Sequence, residues 1–144
     1  MFGSSAGGHL ALMYSRSDIG YKKFDLIKPK TLVLIYPVVT LKEGSECLTK
    51  KRILGNYKDK NFYIDLLSNE SHIASDFPNT FIVAGKDDAL VDPYKNALTL
   101  KKALDEKGVN NEFHLFDKFY HGAGLGVGTD GENWIEEAYK FFNI

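Results

Sequence analysis

The sequence is short of the residues that staple a chain, anchor it in lipid or bind by bulk charge. Its single cysteine in 144 residues, Cys47, excludes an internal disulfide and a thiolate metal cage and points to a reducing compartment. That thiol has no helix-plus-histidine setting of its own, so an inert cysteine is expected. Charge of one sign is also lacking. Eighteen Lys and Arg face 19 Asp and Glu, a formal net charge of -1, so there is no bulk pull toward nucleic acid or an anionic membrane. The lysines of KPK and KKR sit beside acidic residues and read as solvated. No apolar run is long enough to cross a bilayer, and no signal peptide is visible, so a cytoplasmic location is expected. There is no internal repeat and no low-complexity linker. Metal-ligand spacing and a phosphate loop are missing too; the glycine run from Gly124 to Gly128 follows a histidine loop, not a strand-to-helix start. No cofactor and no metal are expected.

What is present is a globular composition, 44% hydrophobic and 26% charged, in a length that suits one domain over residues 1–144. GHLALMYSR, from Gly7 to about Arg16, reads as a helix with Leu10, Leu12 and Met13 as its apolar surface. TLVLIYPVV, Thr31 to Val39, is a continuous apolar run rich in β-branched residues, as in a strand buried on both faces of a parallel sheet. Pro37 belongs at or past its end, because proline interrupts a ladder. The polar stretch 40–77 reads as an irregular excursion over the sheet's C-terminal edge, with a short helix around Cys47 to Leu54. TFIVAG, Thr80 to Gly85, repeats the buried-strand signature. Asp92-Pro93 then marks a helix start, with Asp92 as cap and Pro93 first in the helix. Tyr94, Ala97, Leu98, Ala103 and Leu104 form its apolar face, and Gly108 ends it. EFHLF, Glu112 to Phe116, is a third strand. A last helix runs from about Glu132 with Trp134, Ile135, Ala138, Tyr139 and Phe142 at helical spacing. Alternating strands and helices predict an α/β fold around a parallel sheet of about three strands.

Three segments carry chemistry. A serine hydroxyl is a weak nucleophile until a base takes its proton and the backbone holds it in the open. Gly3-Ser4-Ser5-Ala6-Gly7 has the Gly-x-Ser-x-Gly pattern of a strand-to-helix turn, with glycines around Ser5 that permit close backbone approach. The helix that follows turns its free N–H groups toward the site, and the N–H of Ala6 is the candidate oxyanion donor. Ser4 is the competing hydroxyl, but only Ser5 has glycine at both offsets. In GKDDALVD, after the second strand, the candidate acids are Asp87, Asp88 and Asp92. Asp92 suits a helix cap, and Asp88 stands in a Gly-x-x-Asp-x-x-Val arrangement. FYHGAGLG places His121 in a glycine-rich loop after the third strand. The other histidines, His9 on the first helix, His72 in the excursion and His114 in a strand, read as structural or merely exposed. What singles out His121 is order: serine, aspartate and histidine each follow a strand end in turn, the order of a Ser-His-Asp triad in α/β-hydrolases.

GSSAGGHLALMYS resembles the nucleophile turn and helix of bacterial α/β-hydrolase esterases related to acetyl esterases and acetylxylan esterases. FPNTFIVAGKDDALVDPYKNALTLKKAL resembles their acid-bearing strand, loop and helix, and NNEFHLFDKFYHGAGLG their last strand and histidine loop. The resemblance implies Ser5 as nucleophile, Asp88 as acid, His121 as general base, and small acyl esters, acylated carbohydrates among them, as substrates. It departs at the front. The family's serine turn lies near the middle of a larger sheet, behind earlier strands and a His-Gly-type loop with the second oxyanion donor. Only Met1 and Phe2 precede Gly3 here, so the resemblance implies a partial hydrolase fold lacking its N-terminal strands, the one that feeds the turn included.

Two functions of different kind follow. One is a serine esterase, truncated and weakly active or inactive as this chain; a prolyl-oligopeptidase-like peptidase shares its mechanism. The other is an inactive remnant or binding protein with half the fold. The strand Thr31 to Val39, left without its neighbour, would be an exposed edge open to self-association or to a partner chain that supplies the missing strands.

Overall fold

Parallel strands need long crossovers, and this chain supplies them between four short strands. In the computed structural model, which describes residues 1–42 and 47–142, β1 (Phe2–Ser4) runs straight into α1 (Ala6–Ser15). β2 (Thr31–Ile35), β3 (Asn79–Gly85) and β4 (Asn111–Phe116) follow, with α4 (Ala97–Glu106) between the last two and α5 (Trp134–Phe142) after them. The sheet is all parallel in the order β1-β2-β3-β4. No helix among the described residues is long and apolar enough to cross a membrane.

The sheet corrects one expectation directly. A feeding strand is present: Phe2, Gly3 and Ser4 pair with Val33, Leu34 and Ile35. Few as they are, these residues add to an existing edge, which is a smaller demand than forming a strand alone. The sheet therefore has four strands, and its unpaired flank on this side is β1 rather than β2. β2 itself stops at Ile35, two residues before Pro37, in keeping with proline's missing N–H.

Side chains alternate across the sheet, and two cores result. Leu32, Leu34, Ile82 and Ala84 face α1 and α4, where they meet Ala11, Leu12, Ala97, Leu100 and Leu104. Val33, Phe81 and Val83 face α5 and pack with Phe119, Trp134, Ala138 and Phe141. The helices sit differently on these cores from what their spacing implies. On α1, Leu12 is buried but Leu10 is exposed and Ala11 takes its place. The helix expected at Pro93 begins four residues later, at Ala97, after a turn; Tyr94 stays exposed and Leu100 holds the centre of the buried face. α5 begins at Trp134 and buries Trp134, Ala138 and Phe141, while Ile135, Tyr139 and Phe142 lie on a second, outward stripe. Gly108 (φ 66°) does close α4, as the N–H of Val109 returns to the Leu104 carbonyl at 3.0 Å.

The excursion is less irregular than expected. It holds α2 (Cys47–Leu54) and α3 (Asn61–Leu67) with short 3-10 turns, although the side chains of residues 47 and 48, and with them the expectation for the Cys47 thiol, lie outside the description. Val38, Leu41, Leu54, Ile64 and Val91 form its small core. α1 stitches it down. His9 Nε2 donates to the Leu67 carbonyl (2.8 Å), and fully buried Arg16 reaches the Leu66 carbonyl (2.7 Å) and Asp18 (2.6 Å). Burial holds the His9 imidazole below its ordinary titration range, opposed in part by its bond to Leu67 and deepened by the Arg16 charge.

Candidate active site

The turn between β1 and α1 puts Ser5 at φ 52°, ψ -122°. Positive φ is costly for a residue with a Cβ, and such strain persists only where neighbours over-determine it. Here they do. The Ser5 N–H donates to the Ile35 carbonyl (3.0 Å), and its own carbonyl accepts from the N–H groups of Val38 (3.1 Å), Gly8 (3.0 Å) and His9 (3.3 Å). The glycines around it are not equivalent. A Cβ on Gly3 would lie 2.5 Å from the Gly7 carbonyl oxygen, and one on Gly8 would lie 2.8 Å from Pro37 Cβ. Gly7, the second glycine of the pattern, has open space around its Cβ position. The close approach that the pattern assigned to Gly7 therefore belongs to Gly8.

Ser5, Asp88 and His121, separated by over a hundred residues of chain, meet at the C-terminal ends of three different strands. Ser5 Oγ lies 2.8 Å from His121 Nε2, and His121 Nδ1 lies 2.8 Å from Asp88 Oδ2. A neutral imidazole protonated at Nδ1 fits both contacts: it donates to the carboxylate and accepts the serine proton. Asp88 is buried, and its other oxygen accepts the N–H groups of Leu90 and Val91, both at 2.9 Å. Four hydrogen-bonding atoms are thus fixed in line.

The three aspartates of the acid loop have separate duties. Asp92 Oδ1 accepts from Tyr94 (2.8 Å) and Lys95 (3.2 Å), capping the turn before α4. Asp87 Oδ1 accepts the Phe119 N–H (2.8 Å), tying the acid loop to the histidine loop. That approach needs Gly85, where a Cβ would fall 2.0 Å from the Phe119 carbonyl oxygen. Ser4 is exposed at the end of β1. His72 Nε2 bonds to the Asp65 carbonyl (2.8 Å), His114 pairs with Glu112 (2.5 Å), and His9 is spent on Leu67. The Ala6 N–H stands first in α1, where helix geometry provides no carbonyl partner. Among the described residues no group of three or more His, Cys, Asp or Glu could hold a metal ion.

One residue of the site has no counterpart in the sequence-level reading. The ring of Tyr36 lies 4.8 Å from the His121 imidazole, centroid to centroid, and its hydroxyl accepts the Gly124 N–H at 3.1 Å. Its signal in the sequence is slight: a tyrosine placed directly between the end of a buried strand and a proline.

Comparisons with known proteins bear on the fold and the family. Over 99% of its length the chain superposes on an acetyl ester-xyloside bifunctional hydrolase from Caldicellulosiruptor lactoaceticus, with 31% identity and a TM-score of 0.83, and covers 54% of that chain. A sugar hydrolase from Lactococcus lactis gives 27% identity and a TM-score of 0.77, with 99% of this chain and 56% of the other covered. A carboxylesterase from Lactobacillus plantarum, 20% identical with a TM-score of 0.75 over 99% of this chain and 56% of its own, shares the fold. The chain thus spans about half the length of these structures. No curated protein matches it at significance. The family model described as alpha/beta hydrolase fold matches residues 1–125, the stretch that contains the strained serine, the buried aspartate and the loop histidine, and on that match the chain belongs to the alpha/beta hydrolase fold family.

Proposed function

We propose that the chain carries the reactive centre of a serine esterase acting on small acyl esters, with Ser5 as nucleophile, His121 as general base and acid, and Asp88 as the group that orients the imidazole. The observation that carries this is the unbroken line from Ser5 Oγ through both ring nitrogens of His121 to Asp88, 2.8 Å at each contact. As Ser5 Oγ bonds to the ester carbonyl carbon, His121 Nε2 takes its proton and the carbonyl electrons move onto oxygen, toward the Ala6 N–H. The tetrahedral species collapses, the ester C–O bond breaks, and His121 returns the proton to the departing alcohol. Water repeats the sequence on the acyl-serine and releases the acid. The names of the relatives, an acetyl ester-xyloside hydrolase and a sugar hydrolase, support acetyl groups on carbohydrate hydroxyls as the first substrates to try.

The test is a fluorophosphonate probe followed by peptide mapping. Adduct on Ser5 is expected, lost in His121→Gln and cut by roughly 10⁴-fold in rate in Asp88→Asn, whose amide leaves the imidazole in the wrong tautomer. Adduct on Ser4, or an undiminished rate in Asp88→Asn, would refute the assignment.

A further inference from the structure

The histidine loop is intrinsically free. Gly122, Gly124, Gly126 and Gly128 all have positive φ, and glycine in that region has more conformations to lose than any other residue. Something must therefore hold His121 over a serine that lies on a different strand. Tyr36 is built to do so. It follows the last residue of β2 with φ 38°, an outlier for a bulky side chain, and strain of this kind gathers at functional sites.

Its backbone neighbours grip Ser5. The Ile35 carbonyl accepts the Ser5 N–H, the Val38 N–H donates to the Ser5 carbonyl, and Tyr36 itself donates to Val83 on β3 at 2.7 Å. Its side chain, 6% exposed, grips the histidine. The ring lies against the imidazole at 4.8 Å and against Phe119 at 5.9 Å, and the hydroxyl takes the Gly124 N–H, three residues beyond His121. Gly124 is held from its other side as well, since Trp134 Nε1 donates to its carbonyl at 3.0 Å.

We infer that Tyr36 is a positioning residue that sets the distance and plane of the His121 imidazole relative to Ser5. This rests on the Ser5–His121–Asp88 reading above. One residue thereby joins the nucleophile's peptide to the base's loop: the backbone on either side of it fixes Ser5, its ring fixes the tilt of the imidazole, and its hydroxyl fixes the loop that carries it. A nearby residue with a purely structural role would alter stability without altering the imidazole.

The experiment compares Tyr36→Phe, which keeps the ring and loses the hydroxyl, with Tyr36→Leu, which loses both. Two quantities are read: the saturating rate and half-saturating concentration of Ser5 phosphonylation, and the Nδ1–H resonance of His121 in ¹⁵N-histidine-labelled protein, assigned by its loss in His121→Gln. Tyr36→Leu should lower the saturating rate by on the order of 10²-fold, the scale of a 1 Å misplacement, with the half-saturating concentration little changed and the Nδ1–H resonance broadened. Tyr36→Phe should retain the resonance and lose less rate. If Tyr36→Leu fails to fold, Tyr36→Phe carries the test, and a rate and resonance identical to the parent would overturn the proposal. Unchanged values in a folded Tyr36→Leu would overturn it outright. A parent protein with neither Ser5 labelling nor the His121 resonance would sink the underlying site assignment instead, and this inference with it.

Discussion

A single methyl group separates the glycines that the serine turn requires from the one it does not. In Gly8→Ala the new Cβ meets the rigid ring of Pro37 at 2.8 Å, and overpacking of this kind costs about 1–3 kcal/mol. In Gly7→Ala it meets nothing, and removing a helical glycine is worth about 0.5–1 kcal/mol. Urea midpoints should therefore fall for Gly8→Ala and hold or rise for Gly7→Ala. The reverse ranking would mean that Gly7, as the sequence pattern implies, is the crowded position. The residue scale is also where the sequence was most legible. Order and offset single out Ser5, Asp88 and His121, and the structure joins them by hydrogen bonds. Asp92 is legible as a cap because local backbone chemistry suffices for that. Asp87's bond to Phe119 and Tyr36's contact with His121 were not legible, because each joins residues 32 or more positions apart whose types carry no pattern.

At the scale of elements, the apolar pattern locates α1, α2, α4, α5 and the three longer strands, but misses α3, inside the stretch expected to be irregular, and β1, because three residues are too few for a pattern. It erred on faces where a helix carries two apolar stripes, as α5 does, since spacing alone does not say which stripe meets the sheet. The excursion reads as irregular because its apolar core is small, and the end of α3 is held also by polar contacts from His9 and Arg16 to the Leu67 and Leu66 carbonyls. Those polar contacts give it a pH dependence. His9, on α1, bonds to the Leu67 carbonyl under the excursion, with Arg16 opposing its protonation and Glu70 favouring it. Its folded-state pKa lies below the ordinary 6.5, so the unfolded chain binds the proton more readily. The stability this contributes is complete above about pH 6.5 and is lost as pH falls toward the folded value. Urea midpoints measured at pH 7.5 and 5.5 should converge when His9 is replaced by Gln, which can still donate to Leu67 but does not titrate. An unaltered pH difference would show that His9 is not its source.

The whole molecule presents two kinds of surface. β4 is one edge of the sheet, while at the other β1 offers its outer backbone edge beside exposed Met1, Phe2, Leu10, Tyr139 and Phe142, with Phe2 and Phe142 in ring contact at 5.9 Å. Unpaired edges flanked by apolar side chains associate. A polypeptide of residues 1–144 alone is expected to elute above monomer size in gel filtration. It should also hydrolyse p-nitrophenyl acetate slowly, because a β1 paired on one side alone holds Ser5 less firmly. Joining it to the N-terminal half of a relative should raise turnover and restore monomer size. A fully active monomer would show that four strands make a sufficient enzyme.

The one-sided pairing of β1 also divides the proposed reactive centre between two levels of local stability. Asp88 follows β3, which has a neighbour on each side, while Ser5 hangs from a strand with one neighbour. Sub-global openings are drawn from the least supported segments, so the Ser5 and Val33 amides, bonded to Ile35 and Met1 across that single seam, should exchange with deuterium well before the Tyr36 amide and the interior of β3. In a denaturant series the serine would detach from its histidine while the sheet is still intact. Probe labelling of Ser5 should then fade at a lower urea concentration than the far-UV circular dichroism, so that this centre would lose its alignment before the protein loses its fold.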